Sequence, residues 1–181
     1  SIAALKTLNK EIKSVIINDL KKITSKRKSI CGLKFENPQI MGVLNVTPDS
    51  FSDGGLFFDE SKAYNQTDLM IHNGATIIDI GGESTRPGSE VVNEKDEWGR
   101  IENIIIKIKK NFPKIPLSLD TRKSYVMQKG LECGVDIIND VSGLSFDKKS
   151  FDIINSKNIP FVLHHMQGTP DIMQNNPKYD D

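Results

Sequence analysis

From residue 40 onward the chain alternates short apolar runs with longer amphipathic ones, and this constrains its fold more than any other feature. Strand-like runs fall at residues 40–44, 76–80, 116–119, 136–138 and 161–164. Helical spacing fills 61–73, 94–111, 122–133 and 148–156 between them. Strand–helix–strand repetition implies a parallel sheet with right-handed crossovers. The runs are apolar along their length, as strands covered on both faces must be. Gly74, Gly134 and Pro160 fall in the helix-to-strand connections, where helix stops belong.

Two architectures share this pattern, an open doubly wound sheet and a closed barrel. Polar residues at the strand ends separate them. Asn45, the loop after Ile80, Asp120, Asn139 and the loop after His164 all lie at carboxyl ends of successive strands. A barrel gathers all such ends around one mouth, whereas an open sheet concentrates chemistry at one switch point. The expectation is an α/β fold of the (β/α)8 TIM type. It is incomplete here, since about five strands are present. Residues 29–181 would form this C-terminally truncated barrel domain. Residues 1–28 would be a helical extension, because Leu5, Leu8, Ile12, Val15, Ile16 and Leu20 recur at helical spacing. Residues 29–35 read as a short strand and turn. A chain that opens on Ser1 and stops in a polar stretch reads as part of a longer protein.

Composition narrows the function classes. The 24 basic residues balance the 24 acidic ones, so no basic field points to nucleic acid. No apolar run approaches the length of a membrane span. The amino terminus lacks the pattern of a secretory signal. Cys31 and Cys133 are too few for a disulfide framework and fit no zinc spacing. They read as reduced thiols in or near the core of a cytoplasmic protein.

The chemistry concentrates in the loops. Residues 45–55, Asn-Val-Thr-Pro-Asp-Ser-Phe-Ser-Asp-Gly-Gly, combine an amide, two carboxylates, hydroxyls and an aromatic that no core calls for. Residues 81–88, Gly-Gly-Glu-Ser-Thr-Arg-Pro-Gly, offer donors and a planar guanidinium, or else a surface loop with a solvated arginine. Asp120 is either a helix N-cap or a carboxylate that accepts a planar pair of N–H donors. Asn139 is either a turn residue or an amide suited to a mixed donor–acceptor edge. Asp79, inside an apolar strand, must be paired or hydrogen-bonded, and reads as support for the site. His164 and His165 point to opposite faces of their strand and cannot share a metal. His72 and Trp98 read as structural.

Residues 40–55 and 74–88 resemble the two signatures of the dihydropteroate synthase family. Ser118-Leu119-Asp120-Thr121, residues 138–143 and residues 165–170 follow in the family's order. The resemblance runs from about residue 30 to the end. It implies a (β/α) barrel that condenses 6-hydroxymethyl-7,8-dihydropterin diphosphate with 4-aminobenzoate, giving 7,8-dihydropteroate and diphosphate for folate synthesis. It implies that Asn45 binds the Mg²⁺ that holds the diphosphate, and that Asp120 and Asn139 bind the pterin edge. Pro48, Phe51, Ser84, Thr85 and Pro87 would line the 4-aminobenzoate pocket, where sulfonamides compete. Asp53 and Arg86 would order the closed loops and stabilise charge. The full-length protein would be a homodimer.

Two departures stand out. The family also uses an aspartate, a lysine, an arginine and a histidine on later strands, so this chain by itself is expected to be inactive. His164 stands where the family often has a methionine-like residue near the pterin, which alters the packing there. Two other readings compete. A corrinoid-dependent pterin methyltransferase would not need the loop at 47–55. A non-catalytic remnant would not need Asn45, Asp53 and Arg86.

Overall fold

The structure, a computed structural model, describes residues 9–47, 55–84, 89, 91–165, 168 and 178, with 55–59 as backbone alone. Five strands form one parallel sheet in the order of the sequence: β1 (Met41–Asn45), β2 (Ile77–Gly81), β3 (Leu117–Asp120), β4 (Ile137–Asp140) and β5 (Phe161–Leu163). The crossovers are α2 (Gly55–His72), α3 (Glu94–Asn111), α4 (Ser124–Glu132) and α5 (Ser150–Lys157). Sequential parallel order with a helix in every crossover is the arrangement of a (β/α) barrel, here carried through five strands.

The local chemistry explains where the elements begin and end. In α3, the Asn93 side chain accepts from the amides of Lys95 and Asp96. Glu94, Asp96 and Glu97 occupy the first turn, and Lys109 and Lys110 the last, which matches the helix dipole. Trp98, Ile101, Ile104, Ile105 and Ile108 form its buried stripe. Helix α4 has no side-chain cap of its own at Lys123; Asp147, from the segment after β4, accepts from the Ser124 amide instead. The stops before β2 and β4 use Gly74 and Gly134 at positive φ, and Asn158 takes the same left-handed role after α5.

The core lies between the sheet and its helices. Leu44, Ile78, Ile80, Leu117, Leu119 and Ile138 point into it from the strands. The other face of the sheet follows the register, because side chains in aligned parallel positions share a face. Val43, Asp79 and Ser118 align across β1, β2 and β3, and Ile137 aligns with Ser118. One layer nearer the carboxyl ends, Asn45, Gly81, Asp120, Asn139 and Val162 align.

Four expectations need correction. Only β2 is buried along its whole length; β1 alternates, and every residue of β5 is exposed. The two outer strands are sheet edges among the described residues; β1 is exposed on one face and β5 on both. Residues 29–35 contain no strand, only a tight turn closed by a single bridge between Ile30 and Leu33. Cys31 is exposed at positive φ on that turn, and Cys133 is partly buried; both thiols are free. Helix α2 begins at Gly55, six residues before the periodicity suggested.

Helix α1 (Lys10–Thr24) is capped by Asn9, whose side chain accepts from the Glu11 amide, and it buries none of its residues. His72 is exposed at the end of α2, bonded to the Asp68 carbonyl. Trp98 is buried in the main core.

Candidate active site

The carboxyl end of the sheet carries the polar layer. The register sets Asn45 beside Gly81, Gly81 beside Asp120, and Asp120 beside Asn139. Gly81 lets Asp120 stand close beside it: a Cβ would sit 3.3 Å from the Asp120 Cβ, and the neighbour would have to give by a few tenths of an ångström. Asp120 closes β3 and does not cap α4, so the capping alternative is removed.

Asn139 is tied across the sheet and does not serve its local turn. Its Nδ2 donates to Asp79 Oδ2 at 3.1 Å. His164 Nε2 lies 2.9 Å from its Oδ1. The turn after β4 is organised by Asp140 instead: Oδ1 accepts from the Ser142 amide and hydroxyl, and Oδ2 from the Leu144 amide.

The electrostatics are those of crowded, buried carboxylates. Asp120 is pushed up to about 7, by burial first and then by the charges of Asp79, Glu97, Asp140 and Glu83. Asp79 is raised by burial, with Ser118 and Asn139 opposing that rise. Asp79 Oδ1 is buried without a hydrogen bond. Such a site favours a ligand that presents N–H donors and removes the repulsion.

Beneath the loop after β2 lies a buried ionic cluster that sequence reasoning missed. Glu83 meets Lys123 Nζ at 2.9 Å and Arg122 Nε at 3.1 Å. Its Oε1 accepts from the Val92 amide, which ties the far end of the 84–92 segment. Lys123 also meets Glu97 on α3. Burial raises Glu83, but Lys123, the Val92 amide and Arg122 outweigh it and hold the group below its ordinary value. Glu97 stays raised, by burial, despite Lys123. A signal existed: Glu97 lies on the apolar stripe of α3, next to Trp98 and one turn before Ile101, and a carboxylate there needs a partner. The guanidinium of Arg122 also covers the Phe146 ring at 4.2 Å.

Of the expected site residues, Asn45, Asp120 and Asn139 share one layer of one face. Ser84 follows β2, and its carbonyl accepts from Ser89 Oγ. Pro48, Phe51, Asp53, Thr85, Arg86 and Pro87 lie outside the described residues. No group of three or more His, Cys, Asp or Glu side chains able to hold a metal occurs among the described residues.

A parallel sheet in barrel order sets a carboxylate beside an amide at its strand ends, the end of the fold at which barrel proteins carry their sites. The family model for pterin binding enzymes matches residues 41–181, and the chain belongs to that family. A dihydropteroate synthase of Synechocystis is 43% identical over 142 residues, covering 78% of this chain and 49% of the relative. The structure of Xanthomonas albilineans dihydropteroate synthase with 4-aminobenzoic acid superposes with a TM-score of 0.74 at 37% identity, covering 87% of this chain and 55% of that one. The Anaplasma phagocytophilum dihydropteroate synthase with bound 6-hydroxymethylpterin-monophosphate superposes with a TM-score of 0.67 at 35% identity, covering 76% and 52%. The chain thus spans about half the length of the relatives it matches.

Proposed function

We propose that this chain is the amino-terminal half of a dihydropteroate synthase. That protein would join 6-hydroxymethyl-7,8-dihydropterin diphosphate to 4-aminobenzoate and release diphosphate. The observation that carries the reading is Asp120 beside Asn139 in one layer at the strand ends. An ionised Asp120 accepts two N–H bonds from the amidine-like edge of the pterin. Asn139, held by Asp79, adds one donor and one acceptor beside it. The buried cluster of Glu83, Lys123 and Glu97 fixes Glu83, which also accepts from the Val92 amide, so both flanks of the sequence that carries Ser84, Thr85, Arg86 and Pro87 are held. Ser84, Thr85 and Pro87, with Pro48 and Phe51, would line the 4-aminobenzoate pocket, and Asp53 and Arg86 would order the closed loops and stabilise charge there.

Asn45 stands exposed at the end of β1 and offers a hard amide oxygen with no carboxylate aligned beside it. That fits a Mg²⁺ that arrives with its substrate's phosphates and keeps several waters, and does not fit a cation held by the protein alone. Bound there with the diphosphate, Mg²⁺ would neutralise charge on the leaving group. The bond from the exocyclic carbon to the diphosphate oxygen breaks with its electron pair on oxygen. The aryl amine nitrogen then bonds to that carbon and loses one proton. Asp120 and Asn139 hold the pterin ring in place through both events. The full-length protein would be a cytoplasmic enzyme with small-molecule partners, as the family resemblance implies; among the described residues no helix is long and apolar enough to cross a membrane. We extend the reading to a homodimer of the full-length protein, as the family resemblance implies.

The test is dihydropteroate formation by the full-length protein with Mg²⁺ and both substrates, beside Asn45→Ala and Asp120→Ala. Turnover that falls at least a hundredfold in both variants supports the reading. A folded protein that binds the pterin diphosphate and forms no dihydropteroate overturns it.

A further inference from the structure

We propose that His164 is a positioning residue that locks the orientation of the Asn139 amide through a directional chain, His164–Asn139–Asp79. The inference rests on the pterin site proposed above. Three observations carry it. Asn139 Nδ2 lies 3.1 Å from Asp79 Oδ2, His164 Nε2 lies 2.9 Å from Asn139 Oδ1, and the three residues come from three different strands or strand ends.

An ionised carboxylate only accepts hydrogen bonds, so the atom of Asn139 facing Asp79 must be the nitrogen. The amide oxygen therefore faces His164, and His164 Nε2 must carry a proton and donate it. The reverse arrangement requires a protonated Asp79 and a His164 with a bare Nε2 at the same time. With both ends of the amide occupied, Asn139 keeps one N–H and one lone pair, at fixed positions, for the edge of a ligand. A methionine at position 164 cannot donate, and leaves one end of the amide free. Position 164 thus sets how firmly the heterocycle edge is read, without touching the reacting atoms.

The experiment uses the full-length protein as wild type, His164→Gln and His164→Met, with the histidines labelled with ¹⁵N. A glutamine amide nitrogen can still donate to Asn139 Oδ1. The His164 ring signals, assigned by their loss in His164→Gln, should report a protonated Nε2. His164→Met should raise KM for the pterin diphosphate about threefold to tenfold, the range of one hydrogen bond, with kcat within about twofold. His164→Gln should return KM to within about twofold of wild type. A His164 protonated only on Nδ1, an unchanged KM in His164→Met, or a glutamine variant no better than methionine each overturns the proposal. Failure of the wild type to bind the pterin diphosphate overturns the positioning role by way of the functional reading, while the ring signals still report whether the chain itself is directional.

Discussion

Asp120 carries the largest consequence of any single side chain. Its carboxyl titrates near 7 in the folded protein and near its ordinary value of 3.8 when exposed. Between those values the folded state holds a proton that the unfolded state has lost. Stability from this group is therefore complete below about pH 4 and lost as pH rises through 7. Denaturant titrations of wild type and Asp120→Asn from pH 4 to 7 should show that slope in the wild type and a flatter line in the variant. The same protonation opposes ligand binding, since a protonated carboxyl cannot accept two N–H bonds. Pterin affinity should accordingly rise with pH up to about 7. For Asn139→Ala, which removes the amide and its bond to Asp79, calorimetry should show pterin affinity reduced about fivefold to 150-fold, about 1–3 kcal/mol.

At the scale of elements, two devices hold the helices to the mouth. The first is Lys123, shared between Glu83 and Glu97. Lys123→Met leaves Glu97 buried beside no cation, and thermal and urea melts should show a loss of about 3–5 kcal/mol near neutral pH. Burial already raises Glu97, so in the variant it takes up a proton readily, and the deficit should shrink as pH falls. The second is Asp147, which caps α4 from a distance in sequence. Asp147→Ala should cost about 0.5–2 kcal/mol. Hydrogen bonding to Ser124 and Lys149 outweighs the effect of burial and holds Asp147 below its ordinary value. Its contribution is thus present above about pH 4 and disappears on acidification. The cap could not be read locally, because residues 122–133 contain no aspartate to announce it. The boundaries of α3 were legible, because Asn93, its acidic first turn and its isoleucine stripe all act within one helix.

For the whole molecule, the two sheet edges dominate. Met41 and Val43 on β1, and Phe161, Val162 and Leu163 on β5, are exposed apolar residues on strands whose outer backbone pairs with no further strand among the described residues. Such edges are templates for further pairing. In sedimentation velocity, these 181 residues studied by themselves should associate as concentration rises, and Val43→Lys with Val162→Lys should reduce that association. A concentration-independent monomer would contradict this expectation.

What the sequence determined by itself, from residue 40 onward, was the order of elements, their type, and the end of each strand to within one or two residues. Those properties follow from periods of 2 and 3.6, from glycine stops, and from polar residues that interrupt apolar runs, all of which act over a few neighbours. What only the tertiary structure decided was which strand ends stand side by side. Asp120 is 60 residues or fewer from everything in its layer except Asn45, yet its neighbours are set by register and not by spacing. The bond from Asn139 to Asp79 spans 60 positions, and the one from Glu83 to Arg122 spans 39. Their energies depend on burial and on partners brought together by the fold, and neither exists until the sheet has formed.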